Sequence, residues 1–147
     1  MNIKTELYHT LPAEAVKIRE TVFVEEQGFH NEFDEIDQYA QHIVAYDRGE
    51  PIAACRFFGR DLEQKEEYII GRIAVLKQYR GQNVGSLLLE AAEHEICRMG
   101  GKRVVLHAQV RAQKFYQKSG YCEYGEIDFD EDCPHVWMRK EMQNAEK

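Results

Sequence analysis

Residues 72–88 read RIAVLKQYRGQNVGSLL, and they constrain the fold more than any other stretch. An apolar run stops at a basic, glycine-punctuated loop and restarts at once with a different period. Ile73, Ala74 and Val75 form a short, partly β-branched apolar run, which predicts a buried strand. Lys77 to Asn83 offers almost nothing to a core. From Val84 the apolar positions return as Val84, Leu88, Ala91, Ala92, Ile96 and Met99, the spacing of an amphipathic helix. A strand that feeds a helix through such a loop leaves unpaired backbone N–H groups at the helix N-terminus, and anions bind there.

The flanking sequence sets this unit in a mixed sheet. Leu11, Ala15, Ile18 and Val22 recur at helical spacing after Thr10 and Pro12, predicting a first helix over 12–26. The acidic, aperiodic stretch 28–38, GFHNEFDEIDQ, reads as a loop or a short broken helix. Strands are expected over 42–47 and 52–59, joined by a hairpin turn at Arg48-Gly49-Glu50-Pro51. A charged connection, residues 61–67, precedes a strand over 68–76, and the helix over 84–99 stops at Gly100-Gly101. A strand over 103–108, a short helix over 110–119 closed by Gly120 and a strand over 121–127 follow. An acidic turn over 128–134 and a last strand over 136–142 complete the pattern. Hairpin strands followed by a strand–helix–strand unit imply an α+β fold rather than a wholly parallel sheet.

Composition narrows the functional classes. The 147 residues suit one domain, 1–147, able to bury roughly 68–70% of its unfolded surface. A hydrophobic content of 44% beside 31% charged residues is that of a soluble globular chain. The net charge of −7 argues against a nucleic-acid partner, because phosphate neutralisation needs surplus Lys and Arg. No apolar run approaches the ~20 residues that cross a bilayer, and the start MNIKTELYHT has no signal-peptide core, so no membrane partner is expected. Cys55, Cys97, Cys122 and Cys133 form no CxxC pair and show no disulfide-type spacing, which fits a reduced, cytoplasmic protein.

Two familiar phosphate loops do not match. The P-loop needs GxxxxGK[ST], but Gly81 and Gly85 are four apart and no Lys precedes Ser86. The dinucleotide fingerprint GxGxxG is absent. Arg80-Gly81-Gln82-Asn83-Val84-Gly85 instead resembles the Gln/Arg-x-x-Gly-x-Gly/Ala loop of the GNAT acetyltransferases, which wraps the pyrophosphate of coenzyme A. Asn83 stands where that pattern has its middle glycine, and Asn is the non-glycine residue that best tolerates a left-handed backbone. A second block, Gln109 to Tyr121, resembles the family's Asn-x-x-Ala-x-x-Leu/Phe-Tyr-x-x-x-Gly-Phe/Tyr segment, with Gln109 in place of Asn. A third, IRETVFVEEQGF with EFDEID over residues 18–37 and the C-terminal PHVWMRKEM, is similar to the small bacterial ElaA-like subgroup. The Arg-x-x-Val-Phe start with Glu-Phe-Asp-x-x-Asp also resembles acyl-homoserine-lactone synthases, which lack a well-kept RGQNVG-type loop.

The resemblance implies a GNAT fold: a mixed, mostly antiparallel sheet of about six to seven strands with a central splay and helices on both faces. It implies acetyl-CoA as cosubstrate, a small-molecule or peptide amine as acceptor, and no metal. Ile73, Ala74 and Val75 would pair with the pantetheine arm like an added strand, Val75 offering an N–H to the thioester carbonyl. N–H groups of Gly81, Gln82, Asn83, Val84, Gly85 and Ser86 would hold the pyrophosphate, with Arg80 adding charge and Gln109 meeting the pantetheine arm. Tyr116 stands at the family's tyrosine, which protonates or hydrogen-bonds the departing thiolate. Proton transfer from a phenol of pKa ~10 to a thiolate of ~8.5 is uphill by roughly 2 kcal/mol, so a hydrogen bond fits better than full early transfer.

An attacking amine must also lose a proton. His107, on a strand beside the expected cleft, is the candidate base, with His135 second; Cys133-x-His135 is too sparse for a metal site. Glu26, Asp34, Glu35 and Asp37 could attract a cationic acceptor. Nothing marks Cys122 or Cys133 as an activated nucleophile. A domain that binds coenzyme A without catalysis is the reading from a different class. Edge strands at either end of such a sheet would permit a homodimer.

Overall fold

The computed structural model describes residues 2–60 and 66–142, so most of the charged connection expected over 61–67 lies outside the described residues. The strands are β1 Ile3–Tyr8, β2 Gln41–Asp47, β3 Glu50–Gly59, β4 Glu67–Val75, β5 Arg103–Gln109, β6 Cys122–Asp130 and β7 Cys133–Glu141. The α-helices are α1 Ala13–Arg19, α2 Val84–Arg98 and α3 Gln113–Lys118. The strands hydrogen-bond in the order β1-β2-β3-β4-β5-β7-β6. β4 and β5 run parallel, whereas β1 with β2, β2 with β3, β5 with β7 and β6 with β7 are antiparallel. This is the mixed, mostly antiparallel sheet that the sequence implies.

Two compact units share these elements: residues 2–58 with 70–94, and the described residues of 59–69 with 95–142. In the first, Ala15 and Ile18 of α1, with Val22 and Phe23 beyond it, pack on Val44, Ala54 and Ala74 of three adjacent strands. The expected helix over 12–26 changes character part-way: after Arg19 the chain continues as a π-helical segment, Glu20–Glu26. Thr21 Oγ1 donates to the Lys17 carbonyl at 2.9 Å where that segment begins, competing for an α-helical acceptor. The β2–β3 turn is shorter than expected, with Arg48 and Gly49 at φ 52° and 86° between the paired Asp47 and Glu50. Two left-handed residues are what a type I′ turn requires.

β1 is absent from the sequence reading. IKTELY has no alternation and none of its side chains is buried, because it is an edge strand paired with β2 alone. In the second unit the acidic turn expected over 128–134 is likewise mostly strand, with Asp128–Asp130 in β6 and Cys133 and Pro134 in β7. β6 runs to Asp130, and the turn is confined to Glu131 and Asp132, at φ 55° and 128°. Its carboxylates mark an exposed edge, where charge opposes unwanted strand pairing. The first turn of the expected helix over 110–119 is 3₁₀, Val110–Ala112, before α3.

Gly101 closes α2 onto β5 under tight packing. A Cβ there would collide with Ile96 Cγ2 and lie 2.8 Å from Tyr68 Cδ1. Gly101→Ala is expected to cost about 1–3 kcal/mol of unfolding free energy by urea titration. Gly71→Ala, whose Cβ would meet nothing within 4 Å, should stay within about 0.5 kcal/mol of the parent.

Candidate active site

β4 does not run evenly into the loop. Arg72 lies at φ 51°, in the left-handed region, inside the strand. A bulky residue holds that backbone only where its surroundings impose it. Here the restraint is ionic: Arg72 Nε lies 3.1 Å from Glu32 Oε2 and donates to the Glu32 carbonyl at 3.1 Å, and an amino nitrogen reaches Asp34 Oδ2 at 3.4 Å. The β4–β5 ladder covers Glu67–Ile69 against Arg103–Val105, while the strands continue to Val75 and Gln109.

Glu32 and Asp34 belong to a larger buried network that the sequence reading missed. Arg19, 1% exposed, donates to Glu32 Oε2 at 2.8 Å and to both Asp37 oxygens at 2.7 and 3.1 Å. Arg56, in the middle of β3, donates to Asp34 Oδ1 at 2.7 Å and Asp37 Oδ1 at 2.9 Å. Burial opposes ionisation of Asp37, but hydrogen bonds from Arg19 and Arg56 outweigh it and bring its carboxyl down to about 2. For Glu32 burial wins and its carboxyl is raised. His42 Nε2 lies 3.2 Å from the Asp37 carbonyl, and burial lowers its pKa. The acidic residues read as an attraction for a cationic acceptor are therefore largely neutralised from within: Asp34 and Asp37 by this network, and Glu26 by Arg80. The available signal was a lone Arg56 in an apolar strand, which needs buried carboxylates.

Beyond β4, Gly81 and Asn83 lie at φ 75° and 65°. Asn83 thus adopts the left-handed backbone for which asparagine is the best substitute for glycine. α2 starts at the next residue, and the N–H groups of Val84, Gly85 and Ser86 have no helical carbonyl four residues back. A Cβ on Gly81 would meet nothing within 4 Å, so the space before the loop is open. Arg80 is engaged elsewhere: its amino nitrogens grip the Glu26 carboxylate at 2.5 and 2.8 Å, and Nε donates to the Val75 carbonyl at 2.9 Å. Gln82 is tied back to the Gln78 carbonyl at 3.1 Å. What remains is main chain and a helix terminus, which suits a pyrophosphate. Ala74 faces the core, while Ile73 and Val75 are half-buried.

The remaining candidates lie in the second unit. Tyr116 of α3 is 9% exposed, its ring edge-on to Tyr121 at 6.2 Å, and its carbonyl accepts from Ser119 and Tyr121, both at 3.0 Å. Gln109 ends β5, its side-chain oxygen accepting from Arg111 Nε at 2.7 Å. His107 lies two residues earlier, its Nε2 2.7 Å from Asp128 Oδ1. His135 is buried, lies 2.9 Å from the Cys133 carbonyl through Nδ1, and is pushed below the usual histidine range by that burial. All four cysteines are free, and burial pushes the Cys55 thiol up to about 12.

Residues 9–142 match the family model described as acetyltransferase (GNAT) domain. The chain belongs to the GNAT acetyltransferase family. The N-acetyltransferase YjcF of Bacillus subtilis, itself uncharacterized, is 37% identical over 131 residues, 87% of this GNAT chain and 91% of YjcF. ElaA of Escherichia coli is 31% identical over 137 residues, 88% of this chain and 87% of ElaA. The ElaA crystal structure matches at TM-score 0.82 over 94% of this chain and 99% of its own. An acyl-CoA N-acyltransferase from Pseudomonas aeruginosa matches at TM-score 0.81 and 26% identity, over 95% of this chain and 99% of that one. Among the described residues no helix of this GNAT protein is long and apolar enough to cross a membrane.

The ion network has a pH signature. Asp37 sits at about 2, below its ordinary 3.8, so its stabilisation is complete above roughly pH 4 and disappears as pH falls toward 2. The shift corresponds to about 2 kcal/mol. Asp37→Asn should cost about 3–5 kcal/mol at pH 7, since two buried guanidiniums lose a partner. The gap between variant and parent should narrow between pH 5 and pH 2 in urea unfolding. An equal gap throughout would show that Asp37 is not the acid-labile link.

Proposed function

We propose that residues 1–147 form one N-acetyltransferase domain that moves an acetyl group from acetyl-CoA to a primary amine by direct attack on the thioester. The observation that carries this reading is the passage from Ile73 to Ser86, with left-handed Gly81 and Asn83 leading into the first turn of α2. The relatives named above, one of them an acyl-CoA N-acyltransferase, support the same cosubstrate.

In this reading the backbone of Ile73, Ala74 and Val75 pairs with the pantetheine arm, and Gln109 contacts it. N–H groups from Gly81 to Ser86 hold the pyrophosphate. Arg80 contributes its charge only by leaving Glu26, an exposed pair of the kind worth about 0–1 kcal/mol. Bound acetyl-CoA supplies the activated acetyl group. Tyr116 hydrogen-bonds the sulfur as it departs, and His107 takes the proton that the amine sheds. The acceptor is a small-molecule or peptide amine.

The first test is thermal unfolding with and without acetyl-CoA, S-adenosylmethionine serving as control. Acetyl-CoA at 100 times its Kd should stabilise by about 2.7 kcal/mol, a rise of several degrees. A rise with S-adenosylmethionine alone would move the reading to a lactone-synthase-like acyltransferase. No rise with either would remove the cosubstrate assignment. With an accepted amine in hand, Tyr116→Phe should lower kcat about tenfold or more and leave the KM for acetyl-CoA within about twofold. Unchanged kcat would end the role given to Tyr116.

A further inference from the structure

We propose that Asp128 is the positioning residue for His107, fixing its tautomer so that Nδ1 is the atom that takes the proton from the acceptor amine. The inference rests on the reading of His107 as the base and adds the atom and its support.

Three observations carry it. First, the His107 imidazole stacks on two rings of β7. Trp137 lies 4.7 Å away at an interplanar angle of 25°, and His135 lies 4.6 Å away at 29°. His107 pairs with Trp137 across the β5–β7 ladder, so its ring extends over β7 toward β6. Second, β6 is irregular where it meets this ring. Tyr124 faces Trp137 and Asp128 faces His135, so four residues of β6 advance against two of β7, with Gly125 at φ 81° inside the irregularity. The Tyr124 register continued unbroken would set Asp128 opposite Cys133. The bulge shifts the carboxylate by two residues along β7, to opposite His135, where it lies 2.7 Å from His107 Nε2.

Third, the donors and acceptors permit one assignment. An ionised carboxylate only accepts, so Nε2 carries the hydrogen and the neutral ring keeps its lone pair on Nδ1. The Asp128 carboxyl is held below its ordinary value, first by the His107 hydrogen bond, and so stays ionised. Among the described residues His107 has no other hydrogen-bond partner, and its side chain is 28% exposed. The charged and titratable groups around the stack are Asp128 and Asp130 on β6, His135 on β7, and Arg60, whose guanidinium lies 5.1 Å over the Trp137 ring. His135 Nδ1 is committed to the Cys133 carbonyl, and its lowered pKa keeps it uncharged beside His107.

The step balances. Nδ1 accepts one proton from the amine as the amine nitrogen bonds to the acetyl carbon. The carbon–sulfur bond breaks with its electron pair leaving on sulfur, and the imidazolium later releases the proton to water.

Long-range ¹H–¹⁵N correlation spectra of the uniformly labelled full chain at neutral pH decide the tautomer, with His107→Gln assigning the resonances. The expected result is a single Nε2–H tautomer for His107, giving way to a mixture in Asp128→Asn. Asp128 is exposed, so the variant should melt with the parent. Turnover of acetyl-CoA with spermidine, tyramine and a lysine peptide supplies the kinetic arm. Asp128→Asn should lower kcat about tenfold at unchanged KM for acetyl-CoA, and Asp128→Glu should restore part of it. An Nδ1–H tautomer in the parent overturns the proposal. So does full activity of Asp128→Asn where His107→Gln is inactive. Full activity of both variants overturns the base assignment itself, a result distinct from failure of the positioning role.

Discussion

The structure depends on a neutral bargain among buried charges. Arg19, Arg56 and Arg72 face Glu32, Asp34 and Asp37, three cations against three anions, and four of the six side chains are nearly excluded from solvent. Desolvating each ion costs several kcal/mol, so such a network exists complete or is strongly destabilising. Its members come from α1, the 28–38 segment, β3 and β4, and each fixes the others. β3 cannot slip by one residue, because Arg56 would leave its carboxylates and present itself to the opposite face of the sheet. The segment 28–38, which has no hydrophobic period, takes its shape from the same bonds, with a reciprocal Asp34–Asp37 cap opening a 3₁₀ turn at Glu35. The left-handed backbone at Arg72 is held by the same partners.

This explains which parts of the fold were legible. The strand–loop–helix around Arg80 was readable because local rules decide it: an apolar run, glycine and asparagine, then a helical period. The central strands were readable because they carry buried apolar runs, Ile43–Ala45 in β2, Ile52–Cys55 in β3 and Val104–Leu106 in β5. β1 and the distal half of β6 were not, since edge strands bury little and their side chains carry loop-like polarity. The π-helical stretch after Arg19 was invisible for another reason. Its buried residues Val22 and Phe23 continue the α-helical spacing of Ala15, Ile18 and Arg19, and Thr21 donates to the Lys17 carbonyl where the ladder changes.

The candidate site divides along the same line. Gly81, Asn83 and α2 follow from local conformation, so the sequence carried them. The environment of His107 comes from non-local register. Nothing in the order of residues announces that β6 gains two residues on β7 between Tyr124 and Asp128, or that Trp137 and His135 close on one imidazole. Identity marked His107 as a candidate, and topology supplied its carboxylate.

Arg80 shows how such non-local partners alter a role read from a motif. Its place at the head of the loop suggests a cation waiting for phosphate, yet it holds Glu26 at the end of the π-helical segment. A carboxylate at a helix C-terminus faces the negative end of the dipole and gains from a cation. Both side chains are well solvated, so the pair is weak and salt-sensitive. The buried network cannot exchange partners without exposing an unpaired ion, whereas this pair can. Arg80 can therefore leave Glu26 at little cost, while the frame that shapes β4 stays closed.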